Sequence, residues 1–374
     1  MQRTPNQILI LLALLWLPLT GGCGGESPDT PANPAPEPND DNPYVNAGPT
    51  RIRFTDVSTK TGIDTVNHSG RPGLKEYLLE AVGPGAAWLD FDGDGLLDIY
   101  VPDGDVFSNY RMAKVEDPRT GRTRKMLKAL TPRRQVFRDQ LWRNNGDGTF
   151  TDVAASAGIV EERWSFGATA FDYEADGDQD IFVCNFGHNV LWRNNGDGTF
   201  TDIAEQVGLL GLPWVWSAAA AVGDVDGDGR LDLYVTGMSD SSAEVERMRV
   251  KLGLPLDVDA GKVSGRDCRW RGVRAYCGPI GLGGLHDTLY QQQEDGSFKD
   301  VSAAWGARPR VGKYGFSALM WDFNDDGLQD VYVANDSEEN FMWQQERGPG
   351  GQVLFRDTAD TLGIKVGAQV TAQA

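Results

Sequence analysis

One pattern of apolar and polar positions recurs along the chain. A run of small and apolar residues (Gly85-Ala-Ala-Trp-Leu, Gly167-Ala-Thr-Ala-Phe, Ala219-Ala-Ala-Val-Gly, Ser317-Ala-Leu-Met-Trp) leads into a nine-residue acidic loop, and a β-branched and aromatic run such as Ile99-Tyr100-Val101 leads out of it. Short apolar runs bounded by Gly and Asp predict strands, so each unit opens as strand, loop, strand. The second half of the unit is more regular still. Leu141 to Asp152 and Leu191 to Asp202 are the same twelve residues, LWRNNGDGTFTD, 50 positions apart. Weaker copies stand at Leu289 to Asp300 (LYQQQEDGSFKD) and Met342 to Asp357 (MWQQERGPGGQVLFRD), and Arg53 to Val57 (RFTDV) matches the end of one. Their Asn-Gly and Asp-Gly steps supply the positive φ of a tight hairpin, which makes these blocks third and fourth strands.

Four antiparallel strands in roughly 50 residues, with small residues on a crowded first strand, predict an all-β fold of four-stranded antiparallel blades, a β-propeller. The complete units fall at about 82–152, 165–203, 215–301 and 314–357, within a repeat domain of 51–374. Successive loops are 82, 52 and 98 residues apart, so the first unit carries an insertion at about 105–138 and the third another at about 240–284. In the latter, Ser241 and Glu244 make a capping box ahead of Val245, Met248 and Leu252, with Gly253 and Pro255 beyond, which predicts a short helix. Cys268 and Cys277 lie close together in the same insertion, and an oxidising compartment would let them close a disulfide loop. Cys184, within Ile-Phe-Val-Cys-Asn, reads as a small buried hydrophobe.

The N-terminus bears on the compartment. Ile8 to Leu19 is one apolar run of about 12 residues, short of the ~20 that span a bilayer as a helix, and it reads as the core of a signal peptide over 1–22. Leu19-Thr20-Gly21-Gly22-Cys23 resembles a bacterial lipoprotein cleavage site with Cys23 as the lipidated residue, and Gly24 in place of Asp implies outer-membrane sorting by that resemblance. Residues 23–50 hold seven prolines and almost no large apolar residue, the composition of an extended tether. The expectation is an exported protein held at the outer membrane or cell surface by its lipid, or otherwise periplasmic or secreted.

The formal charge of −19 argues against a nucleic-acid partner, whose footprint would be basic. Arg111 to Arg138 runs the other way, with ten Lys or Arg against Glu116 and Asp117. An anionic polysaccharide, a lipid headgroup or a plain solvated hairpin all fit that run. The acids concentrate in the four loops, which align without gaps. They are Asp90, Asp92, Asp94, Leu96 and Asp98; Asp172, Glu174, Asp176, Asp178 and Asp180; Asp224, Asp226, Asp228, Arg230 and Asp232; and Asp322, Asn324, Asp326, Leu328 and Asp330, taking positions 1, 3, 5, 7 and 9. Position 6 is always Gly. Hard oxygen ligands at alternate positions around a Gly turn suit Ca²⁺, with position 7 giving its backbone carbonyl, whereas Mg²⁺ keeps more water. An EF-hand would need Glu at position 12, where Val101, Val183, Val235 and Val333 stand. About four Ca²⁺ are therefore expected. At the roughly 10⁻⁴ to 10⁻³ M affinity of extracellular modules, four ions in millimolar calcium contribute about 2 to 6 kcal/mol, a structural role.

The four Dx[DEN]xDGxxD loops, the RNNGDGTFTDVA and RNNGDGTFTDIA blocks, Phe166-Gly167-Ala168 and the run Cys268-Arg-Trp-Arg-Gly-Val-Arg-Ala-Tyr-Cys-Gly-Pro-Ile-Gly-Leu282 resemble the FG-GAP/VCBS repeats of integrin-α-like propellers. More narrowly they resemble bacterial relatives of cartilage acidic protein, which end in an ASPIC/UnbV domain that this sequence lacks. The resemblance covers about 51–365 and implies calcium ligands at positions 1, 3, 5 and 9, with a non-enzymatic role in adhesion or surface interaction. It also implies seven blades, against which four complete units read as an open array. The partner expected is an extracellular or periplasmic protein or glycan, and the runner-up reading is a carbohydrate-binding lectin. No GxSxG, HExxH or phosphate loop occurs, and His68, His188 and His286 recur at no repeat position, so no enzyme is predicted.

Overall fold

The computed structural model describes residues 54–70, 78–106, 109–116, 123–129, 136–240 and 284–365, with 121, 269–270, 273–274 and 279 between them. The signal peptide, the tether, Cys23, the helix after Ser241 and the Cys268–Cys277 pair lie outside the described residues. The apolar runs form strands in the predicted order. In the first meander, β1 (Ala87–Leu89) and β2 (Asp98–Val101) flank an acidic loop, β3 (Tyr110–Glu116) and β4 (Thr123–Ala129) leave as a separate hairpin, and β5 (Gln140–Asn144) and β6 (Phe150–Asp152) complete the sheet. The second is β7 (Trp164–Phe171), β8 (Asp180–Phe186), β9 (Val190–Asn194) and β10 (Phe200–Asp202). The third is β11 (Val215–Gly223) and β12 (Asp232–Asp240), a small ribbon of β13 (Arg269–Trp270) and β14 (Val273–Arg274), then β15 (Thr288–Gln292) and β16 (Phe298–Asp300). The fourth is β17 (Gly315–Trp321), β18 (Asp330–Asn335), β19 (Phe341–Arg347) and β20 (Val353–Asp357).

Every pairing within a meander is antiparallel and between consecutive strands. The second and third meanders are also joined by one strand pair, Phe186 of β8 with Trp216 of β11, so they run on as a single eight-stranded sheet. All helices among the described residues are single turns of four residues. The fold is therefore all-β and antiparallel.

Its core lies between the meanders rather than inside any one of them. Leu89, Tyr100 and Leu141 of the first cluster with Ile181, Val183 and Trp192 of the second. Phe182 and Leu191 meet Leu233 and Phe298 at the next seam, and Tyr234 and Leu289 meet Val331 and Trp343 at the third. Covered on both faces, β8 is buried at every position, which is why its sequence reads as a continuous apolar run instead of alternating. The repeated aromatics Trp142, Trp192 and Trp343 are buried, and rings of this size give about 4 to 6 kcal/mol of apolar transfer each before entropy is counted. First strands approach so closely that a Cβ on Gly167 would sit 2.4 Å from the Ala218 carbonyl oxygen, so the small residues there are a steric requirement.

Candidate metal centre

The acidic loops join the first and second strands, and their end aspartates hold them in shape. The position-1 carboxylate accepts the N–H groups of positions 5 and 6: Asp94 and Gly95 donate to Asp90 at 3.1 and 2.9 Å, and Asp176 and Gly177 to Asp172 at 3.1 and 2.9 Å. Asp228 and Gly229 do the same to Asp224 at 3.0 and 2.9 Å, and Asp326 and Gly327 to Asp322 at 3.1 and 2.7 Å. The position-9 carboxylate accepts one N–H from its own loop and one from the third strand. Phe91 and Asn144 donate to Asp98 (3.2 and 2.7 Å), Tyr173 and Asn194 to Asp180 (2.6 and 2.8 Å), Val225 and Gln292 to Asp232 (3.0 and 2.8 Å), and Phe323 and Gln345 to Asp330 (3.2 and 2.7 Å). Position 9 thus bolts each loop to its sheet, a role that the sequence reading had not separated from metal ligation.

All four bolts are buried, and burial pushes their carboxyls up against the partial relief of those N–H bonds, to about 7 at Asp180 and Asp232. The other loop acids add to the rise. Buried carboxylates destabilised in this way are sites where a cation would restore the charged form.

The loops differ in what they gather. Oxygens of Asp90, Asp92 and Asp98 all lie within 4.8 Å of one another, as do those of Asp224, Asp226 and Asp232. Among the described residues no such acidic group of three forms in the second or fourth loop. There position 3 is Glu174 or Asn324, and Asn324 donates its amide to Asp326 at 2.9 Å. Position 4 differs too. It adopts positive φ in every loop, with Gly93 (70°) and Gly227 (79°) in the first and third but Ala175 (56°) and Asp325 (59°) in the second and fourth. Position-5 carboxylates turn toward the backbone, Asp94 accepting from Leu96 at 2.8 Å and Asp228 from Arg230 at 2.9 Å, and the Arg230 guanidinium also pairs with Asp228.

Two further sets of residues join neighbouring meanders, and the sequence reading missed both. In the last three meanders the amide at the end of the third strand reaches the position-2 carbonyl of the preceding loop: Asn194 Nδ2 to Phe91 (2.8 Å), Gln292 Nε2 to Tyr173 (2.9 Å) and Gln345 Nε2 to Val225 (3.0 Å). Gln179, in the second loop, accepts the Asp90 N–H at 2.8 Å. Loops are therefore clasped in series. Their signal was present in the repeat, where Asn or Gln always follows the Trp or Tyr of the third strand by two positions.

The profile of the FG-GAP-like repeat family matches residues 134–183 and 172–235. No curated protein matches the chain. Among solved structures, the chain is similar to an Agrocybe aegerita lectin described for recognition of non-reducing terminal N-acetylglucosamine, at 17% identity over 73% of this chain and 79% of that one, with a TM-score of 0.23. It is also similar to BBS1N in complex with ARL6DN, at 12% identity over 70% and 77% of the two chains and the same TM-score of 0.23.

Proposed function

We propose that this protein is a calcium-stabilised, non-enzymatic interaction domain held at the cell surface through Cys23, presenting its loops to an extracellular or periplasmic protein or glycan. The observation that carries the calcium reading is the convergence of carboxylate oxygens from positions 1, 3 and 9 in the first and third loops. Carboxylates keep several lone pairs when ionised, so oxygens that already accept one N–H can still face an ion. Hard, oxygen-only ligation in a flexible loop is the chemistry of Ca²⁺. When bound, the ion would neutralise the loop acids and relieve the cost of the buried position-9 charge. At about 0.4 to 1.4 kcal/mol per site in millimolar calcium its contribution is structural, and loops held to their sheets by backbone N–H bonds support the interaction role.

Equilibrium dialysis and thermal unfolding of the full chain, with and without chelator, test this reading. The expected result is bound calcium and a Tm that falls on chelation. Absence of bound calcium at millimolar concentration, with an unchanged Tm, would make the loops ordinary turns held by their own N–H bonds.

A further inference from the structure

The three seams are not built alike. At the first, the Trp192 indole N–H donates to the Tyr100 hydroxyl (3.3 Å), which donates to Asp139 (2.6 Å). At the third, Trp343 donates to Tyr234 (2.9 Å), which donates to Asp287 (3.0 Å). Every member of this relay is replaced at the middle seam: Tyr290 takes the Trp place, Phe182 the Tyr place and Asn189 the Asp place. Phe182 has no hydroxyl to offer, and a phenol is smaller than an indole. A cavity of about 420 Å³ lies at this seam, with Asn189, Trp214, Ser217, Tyr290, Asp300 and Arg308 in its wall.

Asn189 is the group that points to a ligand. It is only 2 % exposed, its Oδ1 is fixed by the Asn185 N–H at 3.0 Å, and its Nδ2 donates to no group among the described residues. The equivalent Asp139 and Asp287 oxygens each receive a tyrosine hydroxyl. With its residue held at Oδ1 and lining the cavity, the Asn189 Nδ2 is open to an acceptor placed there.

The wall also sets the chemistry of the occupant. Arg308 is neutralised by Asp300 at 2.6 Å, and burial with the nearby guanidinium pushes the exposed-edge imidazole of His286 down, so it is uncharged at neutral pH. Burial, reinforced by Asp300, pushes the Tyr290 phenol up to about 12. A neutral cavity that offers amide and guanidinium donors beside a carboxylate acceptor suits hydroxyls, each of which donates and accepts. Trp214 and Tyr290 add aromatic surface for C–H faces. The volume falls in the range of small-molecule pockets. We propose that the middle seam binds a neutral polyhydroxylated molecule the size of one sugar ring, with the Asn189 amide in the cavity wall as a donor to it. This site rests on the strand register and not on the calcium reading.

Saturation-transfer NMR and calorimetry on the full chain would use free glucose, galactose, mannose, fucose, N-acetylglucosamine and N-acetylgalactosamine. Measurements are made in calcium and in chelator, below the chelated Tm. At least one sugar is expected to bind at about millimolar Kd or tighter. Tyr290→Trp, which restores the ring that the other three meanders carry, should fill the cavity and weaken binding at least tenfold with Tm unchanged or raised. Asn189→Leu should do the same. Silence from the whole panel, or equal affinity in the folded Tyr290→Trp variant, would overturn the proposal whatever calcium does.

Discussion

The first and third meanders differ from the second and fourth in the same ways, and the difference cuts across how acidic their loops are. The second loop has as many carboxylates at positions 1, 3, 5 and 9 as the first, yet only the first and third gather three of them within 4.8 Å. What separates the two kinds is the residue at position 4, Gly in one and Ala175 or Asp325 in the other, and a position-3 side chain of different length or charge. The alternation continues below the loops, where Asp139 and Asp287 stand ahead of the third strand in one kind and Asn189 and Asn340 in the other. Pairs of meanders, not single ones, behave as the repeating element. A count of acids in a motif therefore overstates its power to gather an ion; the geometry that aims them decides.

The largest effect expected from this contrast is a pH effect at Asp287. Burial pushes its carboxyl up to about 7, partly offset by the Gly237 N–H at 2.9 Å and the Tyr234 hydroxyl. The folded state then holds a proton that the unfolded chain has already released above about pH 4. Stability at this site is present below the unfolded value and is lost as pH rises toward 7, by up to about 4 kcal/mol. Asp287→Asn should flatten that slope, because Asn340 in the next meander already serves the same place, accepting the Asn335 N–H (2.9 Å) and donating to the Tyr332 hydroxyl (2.8 Å). Urea unfolding between pH 5 and 8 in excess calcium gives the answer. Parallel slopes for wild type and variant would mean that Asp287 is ionised throughout.

Next in size is the response to calcium. Asp92→Ala with Asp226→Ala removes the position-3 carboxylates of the two gathering loops and should abolish about 1 to 3 kcal/mol of chelator-sensitive stability. Glu174→Ala with Asn324→Ala should leave most of it. Equal losses from the two double variants would erase the distinction between the kinds of loop and return all four to equal standing.

Much of this arrangement was legible in the sequence. The twelve-residue repeat fixed strand order and spacing, because Asn-Gly and Asp-Gly permit only a few backbone turns and the apolar runs between them are the length of strands. The aromatics of the third strand recur at one position of the repeat, and Trp192 and Trp343 lie in the packing between units. The clasping amides were not read, since Asn194, Gln292 and Gln345 bond to carbonyls 103 to 120 residues away and nothing local marks such a partner. Nor was the double duty of Asp98, Asp180, Asp232 and Asp330 visible. A motif shows which residue types recur, and a buried carboxylate that holds a loop to a strand has the same letter as one that faces an ion. The cavity was hidden for a similar reason: Tyr290 in a Trp column looks conservative until its neighbours Phe182 and Asn189 are seen to have changed with it.

The smallest effect sharpens the comparison most directly, because it alters one backbone position and no ligand. Ala175 holds φ 56° and Asp325 φ 59°, a region that costs an ordinary L-residue roughly 1 to 2 kcal/mol and Asp somewhat less. Glycine relieves that strain but enlarges the entropy of the unfolded chain by a comparable amount, so Ala175→Gly should stabilise by only about 0.5 to 1 kcal/mol and Asp325→Gly by less. The informative reading is calcium stoichiometry. If the position-4 backbone is what keeps Asp172, Glu174 and Asp180 apart, Ala175→Gly should tighten calcium uptake at the second loop along with its stability. A gain in Tm with unchanged uptake would assign the difference to Glu174, whose extra methylene then sets the reach of position 3.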